Sequence, residues 1–234
     1  MLIDMHAHTS GISRCCRTDA HGALMAAREV GIDGLVLCNH YDANYVGDGT
    51  PEEFAEKYIA EYYRTAMVAA EMGMRLYFGV EVTARKHGGA HILLYGMEPA
   101  FVLEHADIYD YTLEQMHAAV HEKGGLVVQA HPFRSNGHVL DTAYLDGVEI
   151  NCHPLYDATH CERMQEIAHE ANIIVTCGGD YHADTYRAVC GTHFPDSALR
   201  YCDIIDHLKN SPEIKMHVHE LRTEFHRDVT FIKG

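Results

Sequence analysis

Apolar and polar positions along this chain switch repeatedly between two periods. Short apolar runs alternate with longer stretches in which apolar residues recur every three or four positions. The runs predict strands over Leu2 to Met5, Gly34 to Cys38, Leu76 to Val82, His91 to Tyr95, Leu126 to Ala130, Gly147 to Ile150 and Ile173 to Cys177. A short eighth strand is expected around Gly191 to Phe194. The longer stretches carry helix punctuation. Thr18 or Asp19 can cap a helix that reaches Val30 before Gly31. Pro51 opens another that reaches about Met72. Thr112 with Gln115 forms a capping box for a third, stopped by Gly124 and Gly125. Further helices are expected from about Thr159 to Ala171 and from Ala198 towards Asn210. Strands separated by mostly helical crossovers predict an α/β fold, a closed or nearly closed β/α barrel. The pattern assigns residues 1–234 to a single domain, with the tail from about 211 unplaced.

Composition narrows the class. The 234 residues are 47% hydrophobic, enough for a large core. No apolar run is long enough to span a membrane, and no basic region precedes an apolar stretch at the start, so neither membrane nor export is expected. The eight cysteines are scattered through predicted strands and helices, which suits a reduced, cytoplasmic protein. A formal charge of −16 argues against nucleic acid as a partner. Twenty histidines outnumber eighteen Lys plus Arg, so position must decide which of them matter.

Position is informative because barrel chemistry gathers at the C-terminal ends of the strands. His6 and His8 lie on one side of the first strand, by alternation. His40, Glu81, His131, Asp180 and His182 also stand at or just beyond strand ends. His91 begins its strand, which is expected to run antiparallel to, or hairpin from, the strand of Glu81. A carboxylate inside an apolar strand, as Glu81 is, needs a charged partner or a metal. Imidazole and carboxylate donors suit zinc, manganese or iron, and ions so held acidify water for hydrolysis. The chemistry expected from the residues alone is metal-assisted hydrolysis. His117, His121 and His169 fall on predicted helices and read as solvated. His207, His217, His219 and His226 fall in the last predicted helix or the tail.

The ordered set His6-Ala7-His8, Asn39-His40, Gly79-Val80-Glu81, His91, His131-Pro132 and Gly179-Asp180-Tyr181-His182 resembles the PHP (polymerase and histidinol phosphatase) family from near residue 1 to about residue 194. The resemblance implies a distorted seven-stranded β/α (TIM-like) barrel, two or three divalent transition-metal ions and hydrolysis of phosphoesters. It implies that His6, His8, Glu81 and Asp180 hold one ion. Glu81 then bridges to a second ion held with His91 and His131, and His40 with His182 holds a third. Members usually carry a His or Asp a few residues after the first two histidines. Here Cys15 falls best at that position and a thiolate can ligate zinc; Asp19 is the other candidate, and without either the third site is weak or empty. Cys16 is expected to pack.

A phosphoester needs donors for its non-bridging oxygens. Arg134, just after His131, is the leading candidate, followed by Arg14 and Asn151. Glu81 and Asp180 are expected to act in catalysis, and His193 to donate to phosphate or act as a general acid. The expected substrate is a small phosphorylated metabolite, a phosphomonoester such as histidinol phosphate or a nucleotide. Two alternatives stay open. An amidohydrolase-type barrel also opens with His-x-His, but usually has a metal-bridging lysine at a strand end, and no lysine ends a strand here. A non-catalytic metal-binding module would lack several ligands, whereas only the third-site ligand is in question.

Overall fold

A computed structural model describes residues 1–134, 137–153, 159–185, 187–220 and 225–234. The strands are β1 (Leu2–Ala7), β2 (Gly34–Leu37), β3 (His40–Tyr41), β4 (Arg75–Ala84), β5 (Ala90–Tyr95), β6 (Leu126–Gln129), β7 (Gly147–Asn151), β8 (Ile174–Gly178), β9 (Gly191–His193), β10 (Glu213–Glu220) and β11 (Phe225–Ile232). They form a single sheet in the order β11-β10-β9-β1-β2-β4-β5-β6-β7-β8, with β3 pairing to β4. The helices are α1 (Ala20–Glu29), α2 (Ala43–Val46), α3 (Pro51–Met72), α4 (Phe101–Glu104), α5 (Leu113–Glu122), α6 (Cys161–Ala171) and α7 (Tyr201–Asn210).

The sheet curls into a nearly closed barrel. The chain just past β8 closes on β1 at the top, where Ala7 bridges Tyr181. There Asp180 N–H donates to the His6 carbonyl at 2.7 Å and His8 N–H to the Tyr181 carbonyl at 3.2 Å. Lower down, β9 pairs antiparallel with the start of β1, and β8 packs against β9 and β10. The expected seven-stranded ring is therefore corrected. The described residues hold eleven strands, because the short β3 and the β9–β11 meander add to those read from the apolar runs. β5 runs antiparallel to both β4 and β6, which breaks the regular β/α alternation.

Local chemistry accounts for the helix ends. Asp19 caps α1, and Thr50 with Glu53 and Thr112 with Gln115 complete capping boxes on α3 and α5. The parallel strands are buried on both faces, as helix-covered strands must be. Burying each Leu, Ile or Val there contributes about 1.5–3 kcal/mol. That apolar gain offsets the cost of the buried carboxylates at the upper end, Asp4, Glu61, Glu81, Glu149 and Asp180.

Candidate metal centre

Strand direction brings the donors together. His6 and His8 rise on β1 and just past it, and β3 pairs His40 with Glu81 of β4. Because β5 is antiparallel, His91 at its start pairs with Thr83 and stands at the same upper end. His131 follows β6, and Asp180 and His182 follow β8. His131 and Asp180 both hold left-handed backbone, at φ 29° and 50°. Such strain in non-glycine residues gathers where a fold must aim a side chain. Gly178 allows the aim of Asp180: a Cβ there would lie 2.6 Å from His6 Cβ and 2.9 Å from Glu149 Oε1.

The donors form three adjoining groups around Glu81. In the first, His8 Nε2 lies 3.0 Å from His6 Nε2 and 3.1 Å from Asp180 Oδ1. Glu81 Oε1 is 3.5 Å from His6 Nε2, and Glu81 Oε2 is 3.4 Å from His8 Nε2. In the second, Glu81 Oε1 lies 2.7 Å from His91 Nδ1 and 3.1 Å from His131 Nε2. In the third, His40 Nε2 is 3.4 Å from His182 Nε2, and the Cys15 thiol neighbours both rings.

The remaining ring nitrogens are engaged behind the site. His6 Nδ1–H donates to Glu149 Oε1 at 2.8 Å. Glu149 Oε2 also accepts from His131 N–H at 3.1 Å and from the Asn151 amide at 3.0 Å, so this carboxylate braces two donor-bearing strands. The tautomer of His8 follows from a chain of bonds. Asn39 Oδ1 accepts from Thr9 N–H at 2.8 Å, so the Ser13 hydroxyl must donate to that oxygen at 2.8 Å. Ser13 Oγ then accepts from His40 N–H and from His8 Nδ1–H, each at 3.0 Å. Both Nε2 lone pairs therefore face the same buried space, and a backing partner of this kind is what a metal-ligating histidine ordinarily has. Asp4 completes the bracing, accepting from His6 N–H at 2.9 Å and Gly179 N–H at 2.8 Å. Burial raises its carboxyl to about 7.

These residues fit divalent ions. Glu81 is fully buried, and its Oε2 has no aligned hydrogen-bond donor although His40 Nδ1 is 2.6 Å away. Acceptor nitrogens and carboxylate oxygens 3.0–3.5 Å apart repel one another unless a cation lies between them. Those separations match the roughly 3.3 Å edge of a tetrahedron around an ion bound at about 2.0–2.1 Å. Without an ion the same groups set one another's protonation: against its burial, His6 is raised well above the usual imidazole value by Glu149, Asp180 and Glu81. Burial alone would raise Glu81, but His91, His40 and His6 hold it well below the usual carboxylate range. Asp180 is likewise held low, against burial, by His6, His8 and His182. Burial, reinforced by His182 and His40, pushes His8 well below the usual imidazole value, which keeps it neutral. His40 rises to about 10 despite its burial, under Glu81 and Cys15. The Cys15 thiol is pulled down to about 6 against its burial by bonds from His182 and His40.

Other expectations divide. Asp19 is only a helix cap, bonded to Gly22 N–H, and Cys16 is buried with its thiol on the Thr18 carbonyl. Arg134 lines a cleft of about 430 Å³ together with His87, His91, Gln129, His131 and His138. No Asp or Glu belongs to that lining among the described residues. Arg14 is exposed and stacks on Tyr45 while donating to the Asn44 and Tyr45 carbonyls, outside this cleft. Asn151 is buried behind Glu149, with its amide oxygen accepting from His153 N–H, so it braces rather than faces a ligand. His193 is a correction: it pairs with Leu2 at the opposite end of β1 from His6 and His8, because β9 runs antiparallel to β1. Glu149 escaped the sequence reading, although Val148-Glu149-Ile150 carries the same signal as Glu81, a carboxylate inside an apolar strand.

The chain matches no protein-family model and no curated protein. Solved structures share its fold at low identity. One is described as a "putative metal-dependent phosphoesterase" from Bifidobacterium adolescentis, with 19% identity, TM-score 0.53, and coverage of 79% of this chain and 88% of that one. PsfC from Pseudomonas syringae matches at 19% identity and TM-score 0.57, over 87% of each chain. An amidohydrolase from Chromobacterium violaceum, solved with sulfate and without metal, matches at 17% identity and TM-score 0.58, over 84% of this chain and 93% of that one. The mixed α/β, barrel-like fold is thus shared with a protein described as a "putative metal-dependent phosphoesterase" and with one described as an amidohydrolase.

Proposed function

We propose that the chain is a metal-dependent phosphoesterase acting on a small phosphorylated metabolite, with two or three divalent ions held around Glu81. The observation that carries this reading is the convergence of six imidazoles with Glu81 and Asp180, beside a cleft with no acidic lining residue among those described. In a protein of net charge −16, such a cleft suits an anionic substrate. His6, His8, Glu81 and Asp180 would hold one ion, Glu81, His91 and His131 a second, and Cys15, His40 and His182 a third. Such ions, when bound, supply Lewis acidity and acidify water near neutral pH.

The chain's own residues do the rest. Arg134 at the cleft wall pairs with non-bridging oxygens and orients the ester. Asp180, kept ionised, accepts the proton of the attacking water. His153, near His182, is pulled down to about 4 by burial against the field of Asp180, which keeps its imidazole neutral. Glu149 and Ser13 fix the rings of His6 and His8, so the donor set needs no rearrangement as the substrate binds.

The test is a panel of substrates offered to protein reconstituted with Mn²⁺, Zn²⁺ or Fe²⁺. Phosphomonoesters, including histidinol phosphate, nucleotides and aryl phosphates, are expected to release phosphate only with metal. Amide and lactam substrates serve as the second arm, because one structural neighbour is described as an amidohydrolase. Turnover confined to that arm would replace the phosphoester reading. No turnover in either arm would leave a non-catalytic metal-binding module.

A further inference from the structure

A second group of metal donors lies at the other end of the barrel. His117 and His121 are four residues apart on α5, so both project from one helix face. Their ring centroids are 3.8 Å apart. His121 Nε2 lies 2.9 Å from both carboxylate oxygens of Asp146, the residue before β7. One donor atom from each of the three residues falls within 4.8 Å of the others. α5 ends and β7 begins at the end of the barrel away from Glu81.

We propose that His117, His121 and Asp146 form a separate, solvent-accessible site for a borderline transition-metal ion of the Zn²⁺, Ni²⁺ or Cu²⁺ class, which staples α5 to the strand edge beneath it.

Two features distinguish the group from solvated surface histidines. The third donor comes from a different element, and it is held before any ion arrives: Asp146 Oδ2 accepts from Val127 N–H at 2.7 Å. The Asp146 backbone is fixed too, its N–H on the Val127 carbonyl and its carbonyl on Ile174 N–H, each at 2.7 Å. A carboxylate anchored in this way loses little freedom on binding. The Tyr144 ring stands edge-on to His117, with centroids 6.1 Å apart, and walls one side. Partial burial and the neighbouring His121 lower His117, which favours the neutral ring that a metal needs. Two imidazoles and one carboxylate suit ions that accept nitrogen donors, ahead of Mg²⁺ or Ca²⁺. The remaining coordination positions are left to water.

The proposal concerns metal binding alone and does not depend on hydrolysis. Full-length protein given only the equivalents of Zn²⁺ that fill the Glu81 centre, then desalted, would be titrated with Ni²⁺ while the imidazole resonances of His117 and His121 are followed by NMR. Both signals are expected to broaden together, saturating at one added equivalent. Asp146→Asn, which keeps an oxygen for Val127 N–H, is expected to weaken the apparent affinity by about tenfold or more. His121→Gln is expected to abolish the response of His117 while turnover stays as in the parent. Broadening that fails to saturate, or that is unchanged in D146N and H121Q, would overturn the site. If either variant is misfolded by circular dichroism, the parent titration decides alone, since broadening of only one ring contradicts a shared ion.

Discussion

The upper end of the barrel and the β10–β11 hairpin are both rich in histidine and carboxylate, yet they differ in what surrounds those groups. At the upper end His6, His8, Glu81 and Asp180 are almost wholly buried, and a second layer of Glu149, Ser13 and Asp4 holds them. On the β10–β11 hairpin His217 donates to Asp228 at 2.7 Å, and Asp228 is largely exposed. The hairpin pair is satisfied by its own hydrogen bond. The upper set is not: its free lone pairs point at one another. The contrast teaches that histidine number carries little information. What distinguishes the Glu81 centre is burial combined with backing partners that leave converging lone pairs.

The contrast can be broken from the top down. Glu81→Gln should remove the group shared by the first two donor sets. Hydrolysis is expected to fall by more than about 10²-fold, beyond the range typical of a residue outside the ligand shell, and bound metal by at least one equivalent on elemental analysis. Retained activity would show that Glu81 is not the shared ligand. Next comes Glu149→Gln, which leaves the ligands in place but weakens the brace on His6. A loss of about 10–100-fold in metal affinity is expected by competition with a chelator, with the fold intact by circular dichroism. Unchanged affinity would reduce Glu149 to a core residue. Gly178→Ala forces a methyl against His6 and Glu149, and thermal unfolding should show about 1–3 kcal/mol of lost stability.

A smaller effect concerns pH. In metal-free protein His40 is raised to about 10. Its contribution to stability is fully present below the unfolded value of about 6.5 and is lost as pH rises through about 10. Metal-free protein should therefore unfold at lower temperature at pH 9 than at pH 6. Metal affinity should rise over the same interval, because ions displace protons from the rings. Parallel trends in the two forms would contradict the assignment of His40 to the centre. The smallest effect is expected at the lower end. His193→Gln should leave turnover within about twofold, since His193 pairs with Leu2, away from the donors.

Much of the upper end was legible because strand ends carry their own signal: an apolar run that stops on a histidine or carboxylate. His91 needed more, since only the antiparallel turn of β5 brings a strand start to the same end. That same ambiguity misplaced His193, because no local pattern states the direction of a three-residue strand. Asn151 was read as facing a ligand, whereas its amide is used inside the core to hold Glu149. The tail held a signal that went unread. Ile214, Met216 and Val218 alternate with polar residues, a half-buried strand pattern, and these three are buried in β10. The charged and histidine residues between them hid the period.

The central claim is that the converging lone pairs around Glu81 are a multi-ion centre. Anomalous diffraction at the zinc edge from crystals soaked in Zn²⁺ tests it most directly. The account predicts at least two strong peaks flanking the Glu81 carboxylate, each roughly 2.0–2.2 Å from ring nitrogens of the His6–His8 and His91–His131 sets. Crystals that show anomalous peaks on surface histidines but none beside Glu81 would contradict it.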